Sequence, residues 1–251
     1  MRRIAPWAAL TIAAGLALAG AAGAADAPKA FSPEQEKAIR EVVRDYLVNH
    51  PEVLVEAIQA LQEKQQAAEK DQRQKALAAY RAELEQDADS PVAGNPKGNV
   101  TIVEFFDYRC PYCKSVSDRL FDTVKADGNV RYVLKEFPIL GPESVVAAKA
   151  ALAARKQGKY VEFHRALMAV RGNLDENAVM ALAKTVGLDA KRLRDDMDGP
   201  AIAASLDRNL KLSQALKIDG TPAFVVGDQL VPGAVSTEAL KTLIGQTRKT
   251  N

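Results

Sequence analysis

The sequence predicts an α/β fold, a sheet domain carrying a helical insertion, preceded by an all-α N-terminal extension. Three observations predict it. Residues 99–106 (Asn-Val-Thr-Ile-Val-Glu-Phe-Phe) are β-branched and aromatic, as in a buried central strand, and a helix-periodic stretch separates them from a second such run at 130–137. Strand, helix, strand in that order is the parallel crossover unit. Residues 142–197 then read almost wholly as helix, and Gly227-Asp228 between two short apolar runs signals a hairpin. Ahead of all this, residues 32–61 carry apolar side chains at helical spacing and no strand signal.

Taken in order, the 251 residues are 47% hydrophobic and 26% charged, a composition that supports a packed core. Arg2 and Arg3 precede an uncharged Ala/Leu-rich run at 4–19, and Ala22-Gly23-Ala24 supplies small residues for cleavage. Residues 1–25 thus read as a signal peptide, cleaved after Ala24 or Ala25, and place the mature chain in the periplasm. The run falls short of the about 20 apolar residues a spanning helix needs. The chain carries 34 basic and 32 acidic residues, and losing Arg2 and Arg3 leaves the mature chain formally neutral. That balance gives no electrostatic basis for nucleic-acid binding.

Residues 26–88 form the helical extension. Ser32 reads as an N-cap with Pro33 at the first helical position, and Ile39, Val42, Val43, Tyr46 and Leu47 follow at helical spacing. Asn49-His50-Pro51 breaks the helix, and Val53, Leu54, Ala57, Ile58 and Leu61 mark a second one. Residues 62–75 are helix formers without an apolar stripe; Leu77, Tyr80 and Leu84 resume one weakly. Two short amphipathic helices are not stable alone and must pack on the main domain or on copies of themselves; the polar run that follows would hold them off the main domain, which favours a homo-oligomer. His50 reads as a turn residue rather than a metal ligand.

Residues 89–251 form the sheet domain, with the helical insertion at about 142–200. After the first strand, Val116, Leu120, Phe121 and Val124 give a helix one apolar face, and Asp127-Gly128-Asn129 ends it. Gly158, Gly172-Asn173 and Gly187 punctuate helices at 144–157, 160–171, 176–186 and about 190–197. Another helix at 202–216 leads to Gly220-Thr221-Pro222, the hairpin, and a last helix at 237–247. His164, on an amphipathic helix, reads as a surface or core-edge residue.

Cys110 and Cys113, the only cysteines, sit two residues apart where the first strand becomes a helix. Exchange needs a thiolate that attacks a disulfide and a second thiol that resolves the mixed disulfide. A helix N-terminus stabilises the thiolate of Cys110, and Pro111 suits the first helical position. A structural staple would constrain so short a loop little, and zinc would need two more ligands, with His50 and His164 far away in sequence. Glu104 is out of place in a central strand, where a carboxylate costs several kcal/mol unless paired or protonated. Two readings stand: an ion pair with Lys135 on the neighbouring strand, or a proton acceptor and donor for Cys113.

A strand ending in Cys110-Pro111-Tyr112-Cys113, a helical block within a strand–helix–strand unit, and Gly220-Thr221-Pro222 before a hairpin together resemble the DsbA family, periplasmic thioredoxin-fold proteins with a helical insertion. With its N-terminal extension the chain is similar to the ScsC-type subgroup, and more loosely to the isomerases DsbC and DsbG. The resemblance implies Cys110 as exposed nucleophile, Cys113 as buried resolving thiol, Pro222 as a cis-proline facing them, and Glu104 as the buried acid beneath. Pro111, Tyr112, Thr221 and Pro222 would contact an extended substrate. Tyr112 departs from the histidine of typical DsbA, so a Cys110 pKa between DsbA's ~3.5 and thioredoxin's ~7 is expected. Thr221 rather than valine matches DsbC and DsbG and points toward isomerase duty. The implied partners are thiols or disulfides of exported proteins, a membrane redox partner of the DsbB or DsbD/ScsB type, and further copies of the chain, three in a trimer. No cofactor beyond a Cys110–Cys113 disulfide and no resident metal is implied; the competing class is a copper-binding or copper-tolerance protein with both cysteines as soft Cu(I) ligands. A helical arm that docks an envelope partner is a third reading.

Overall fold

The computed structural model describes residues 31–250, so the signal-peptide reading of residues 1–25 lies outside the described residues. The described residues divide into two compact units, with the split between Gln62 and Glu63. In the first, α1 (Pro33–Asn49) starts with a reciprocal cap: the Ser32 hydroxyl accepts the Gln35 amide at 3.2 Å, and Gln35 Oε1 accepts the Ser32 amide at 2.9 Å. His50 closes it, donating its amide to the Tyr46 carbonyl, and Pro51 opens the turn into α2 (Glu52–Ala79). No residue of α1 is buried; Val42 and Tyr46, like Ile58 and Leu61 on α2, keep their apolar surface exposed.

The second unit begins well before residue 89, the boundary expected from sequence. Leu77 at the end of α2 and Leu84 on α3 (Arg81–Glu85) are each 2% exposed and pack in one cluster with Val103, Phe105 and Val133.

Five strands form one mixed sheet in the order β1-β3-β2-β4-β5. The central pair, β2 (Val100–Phe106) and β3 (Val130–Glu136), runs parallel and is joined by α4 (Pro111–Asp127). β4 (Ala223–Val226) pairs antiparallel with β2 and with its hairpin partner β5 (Gln229–Pro232). β1 (Val92–Gly94) adds an antiparallel edge to β3. The sequence reading missed it because three residues are too few to display alternation. Gly94 is required there: at φ +70°, an added Cβ would lie 2.6 Å from the Val130 carbonyl oxygen.

Both faces of the sheet are covered, which is why β2 and β3 read as continuous apolar runs. One face carries Ile102, Phe106, Tyr132 and Leu134 against α4, the helical insertion and α10 (Thr237–Thr250). The other carries Val103, Phe105 and Val133 against Leu77, Leu84 and Leu212 of α9 (Pro200–Ala215). The insertion opens with α5 (Pro142–Ala154), whose buried alanines let α6 (Tyr160–Ala169), α7 (Glu176–Thr185) and α8 (Ala190–Met197) approach closely.

Candidate active site

β2 ends at Phe106, and a four-residue loop delivers Cys110 as the N-cap of α4. The Cys110 sulfur accepts the Cys113 amide at 3.4 Å, and as a thiol it donates to the Thr221 carbonyl at 3.2 Å. Both cysteines are unpaired thiols. Cys110 is only 3% exposed, less open than an exposed nucleophile would be, because the segment carrying Thr221 lies against its sulfur. Its pKa is brought down to about 5, first by a hydrogen bond from the Cys113 side chain, then by the Thr221 side chain and the amides of Cys113 and Tyr112; burial opposes them. Burial pushes the Cys113 thiol far up, helped by that same hydrogen bond and by the negative charge of Glu104. One sulfur is thus tuned to ionise and its neighbour to keep its proton.

Glu104, 2% exposed, shares its sheet face with Tyr132, whose hydroxyl donates to Glu104 Oε2. Burial carries its pKa to about 8; the Tyr132 hydrogen bond lowers it and the Cys110 charge raises it. Lys135 is not its partner. The parallel register sets Glu104 opposite Leu134 and Phe105 opposite Lys135, so the lysine points through the other face. There its ammonium bonds Asp87 at 3.0 Å and the Glu83 carbonyl at 2.7 Å. An acid with no cation beside it among the described residues fits the proton-transfer reading of the two.

The loop before Cys110 is fixed by Asp107, itself 1% exposed. Its carboxyl accepts the amides of Arg109 (2.7 Å), Ile139 (2.8 Å) and Leu140 (2.9 Å) and the Ser144 hydroxyl (2.7 Å), and its backbone carbonyl accepts the Cys110 amide at 3.1 Å. Arg109 adds a second tie, donating to the Leu140 carbonyl and to Glu143. Ile139 and Leu140 therefore hold a fixed, partly exposed position beside the motif. Pro111 is exposed at the first turn of α4, and Tyr112 is 65% exposed. Thr221-Pro222 is a cis peptide at the entry to β4, with Thr221 partly exposed and Pro222 buried.

Residues 101–245 match the DSBA-like thioredoxin domain. The chain belongs to that family. Residues 35–68 of this DSBA-like protein match a second description, the copper resistance protein ScsC N-terminal domain. A thioredoxin-like oxidoreductase from Silicibacter pomeroyi DSS-3 is 48% identical, with a TM-score of 0.66 over 67% of this chain and 98% of that one. A linker-deletion variant of Proteus mirabilis ScsC is 30% identical, with a TM-score of 0.68 over 90% of this chain and 100% of that one. BcfH of Salmonella enterica Typhimurium is 31% identical, with a TM-score of 0.71 over 86% and 96%. The chain spans about a quarter of some curated relatives: it is 30% identical over 155 residues, 61% of its length, to 24% of the Na(+)/H(+) antiporter NhaA 1 of Salinispora arenicola.

In this DSBA-like domain the structure brings Cys110, Cys113, Glu104 and Thr221 together and leaves Tyr112 at the rim. Sequence reasoning missed Asp107, Tyr132 and a buried cluster behind the motif. In that cluster the Tyr108 and Tyr160 hydroxyls lie 2.9 Å and 2.7 Å from Glu136 Oε1. His164 Nδ1 lies 3.0 Å from the Tyr108 hydroxyl. His164 is no surface or core-edge residue: it is 1% exposed, enclosed by the rings of Phe106, Tyr108, Phe121 and Tyr160. Burial brings its pKa down to about 3. Its signal was present: Tyr160, Phe163 and Leu167 mark a buried face that His164 shares.

Proposed function

We propose that this chain is an exported thiol–disulfide oxidoreductase that forms or isomerises disulfides in exported proteins. The observation that carries the reading is the split between the two thiols: Cys110 near pKa 5 at a helix N-cap, Cys113 driven the other way beneath it. Cys110 thiolate attacks a substrate disulfide and expels one substrate thiolate, giving a mixed disulfide. Cys113 then loses its proton to the Glu104 carboxylate and displaces the second substrate thiolate, leaving the Cys110–Cys113 disulfide. Oxidation of a substrate dithiol is the reverse, with Glu104 returning the proton. Thr221 presents its backbone beside Cys110 for an extended peptide, and Tyr112 and Pro111 border the same opening.

Isomerase duty follows from self-association. The uncovered apolar residues of α1 and α2 supply the contact, and a homo-oligomer, a trimer in the simplest plan, sets several Cys110 sites around one substrate. Regeneration falls to a membrane redox protein of the DsbB or DsbD/ScsB type. Export rests on the residue pattern at 1–25; among the described residues no helix is long and apolar enough to cross a membrane. Refolding of scrambled ribonuclease is the test: recovery of activity by the wild type and not by Cys110→Ser supports the reading, and no exchange with protein or glutathione substrates removes it. Sedimentation at tens of micromolar tests the oligomer, which a monomer would rule out.

A second reading draws on the ScsC N-terminal match: copper tolerance, with Cys110 and Cys113 as Cu(I) ligands. The matched residues 35–68 hold one histidine and no cysteine, so the thiols must do the binding. Competition titration with Cu(I) decides it, and affinity no better than a dithiol peptide's eliminates it.

A further inference from the structure

Glu136 closes β3, is 1% exposed, and has no place in the exchange steps above. We propose that Glu136 is a positioning residue of the redox site that works as a neutral carboxylic acid, heading a directed hydrogen-bond chain from Glu136 to Tyr108 to His164 that fixes the segment delivering Cys110. The inference rests on the oxidoreductase reading, since the site it positions is the one that reading uses.

The argument starts from proton counting. Tyr108 has one hydroxyl proton and three polar neighbours, Glu136 Oε1 at 2.9 Å, His164 Nδ1 at 3.0 Å and the Tyr160 hydroxyl, which itself has Glu136 Oε1 to donate to. In one arrangement Glu136 is ionised, both tyrosines donate to Oε1, and His164 donates from Nδ1 to Tyr108. Oε2 would then be a buried anionic oxygen with nothing bonded to it, since it has no hydrogen-bond partner. In the other, Glu136 donates from Oε1 to Tyr108, Tyr108 donates to Nδ1 of a neutral His164, and Tyr160 donates to Oε1. Only one carbonyl-like oxygen is left bare, a far smaller loss than an unpaired buried charge.

The surroundings favour the neutral form from every side. The loop contributes Asp107 and Tyr108, α6 contributes Tyr160 and, through Tyr108, His164, and β2 contributes Glu104. Asn209 of α9 bonds the Glu136 backbone carbonyl, not its carboxyl. Among the described residues no cation pairs with it. Lys135 leaves through the other face to Asp87, Arg155 bonds the carbonyls of Ala88 and Asp89, and Arg165 pairs with Asp118. Burial, with the charges of Asp107 and Glu104, raises the Glu136 pKa well above the carboxylate range.

The chain's position gives it a role. Tyr108 lies two residues before Cys110, between Asp107 and Arg109, whose bonds hold the loop on its outer side. Glu136 and His164 hold the same loop from within. Together they leave the Cys110 N-cap, which sets thiolate stability, little freedom to drift.

The test reads the Cys110 titration by thiolate absorbance and the Glu136 carboxyl by carbon NMR of glutamate-labelled reduced protein. Glutamine's amide nitrogen in the Oε1 position donates to Tyr108, as the neutral acid does, and to Tyr160 as well, so Glu136→Gln keeps the Glu136–Tyr108–His164 chain without a charge and should hold the Cys110 midpoint near its wild-type value. Were Glu136 ionised, removing its charge would lower that midpoint by about one pH unit, and that result, or a Glu136 carboxyl ionised at pH 7, overturns the inference. Glu136→Leu breaks the chain and should raise the midpoint by about half a unit or more. Should that variant not fold, Tyr108→Phe, which deletes one hydroxyl, carries the same expectation. An unmoved midpoint in a folded chain-breaking variant overturns the positioning role. Failure of the wild type to exchange disulfides would remove the proposed function instead, and the titrations would still judge Glu136.

Discussion

Cys113→Ala isolates the group that does most to ionise Cys110. The Cys113 side-chain hydrogen bond comes first among the influences that bring Cys110 to about 5. A hydrogen bond to a charged group contributes about 1.5–3 kcal/mol, equivalent to about 1–2 pH units. The alanine variant keeps the Cys113 amide, the Tyr112 amide and the Thr221 side chain, so Cys110 should titrate at about 6–7, still below the free thiol at about 8.5. At pH 6 the thiolate fraction should fall from about nine-tenths to between about one-half and one-tenth. Because nucleophilicity rises with pKa, the plateau alkylation rate well above the midpoint should increase about 3- to 8-fold. Thiolate absorbance against pH gives the first number and iodoacetamide kinetics the second. A midpoint still near 5 would refute the assignment, and one at the free-thiol value would mean the amides contribute nothing.

Further expectations concern three other groups. Glu104, raised to about 8 from 4.5, keeps a proton in the fold that the unfolded chain releases, so it removes stability as pH rises between those values, at about 1.4 kcal/mol per unit. Cys110, lowered to about 5 from 9.0, adds stability over nearly the same window, so the two trends mask each other in the reduced protein. Glu104→Gln should therefore gain on wild type steadily from pH 5 to pH 8 in urea unfolding, and parallel curves would contradict the shift. The same variant should slow mixed-disulfide resolution by about 100-fold or more in stopped-flow assays. Tyr112→His places a titratable cation beside Cys110 and should raise the reduction potential by on the order of 30 mV against glutathione, a change of about one pKa unit. Lys135→Met removes the nearer of the two cations facing Asp87, and Arg208 at 3.9 Å, Ser90 and the Asp89 amide remain, so a loss of about 1–3 kcal/mol is expected from the denaturant midpoint.

The dithiol, its helix and the order of elements were legible because each rests on local signals: two cysteines three positions apart, glycines at 158 and 187, a β-branched and aromatic run on either side of a helix. The partners were not, because they depend on register. Nothing in the sequence says that Glu104 faces Leu134 rather than Lys135, and a slip of one residue exchanges the faces. That slip is the whole difference between an ion-paired carboxylate and an acid with a pKa near 8. His164 failed for a related reason. Its spacing marked a buried face, but the groups that satisfy it, Tyr108 and through it Glu136, lie 56 residues away and on another strand.

Asp107 leaves one consequence for the history of such chains. Four donors from three stretches of sequence converge on a single carboxyl, and no other side chain in the loop can take its place. Replacement of Asp107 would release the turn before Cys110 and the Ile139–Leu140 segment in the same event, and Ser144 would lose its acceptor. Related sequences should therefore keep or change positions 107 and 144 together, with drift at 139 and 140 confined to side chains whose backbone amides remain free to donate. The loop that carries the nucleophile and the loop beside it are inherited as one part.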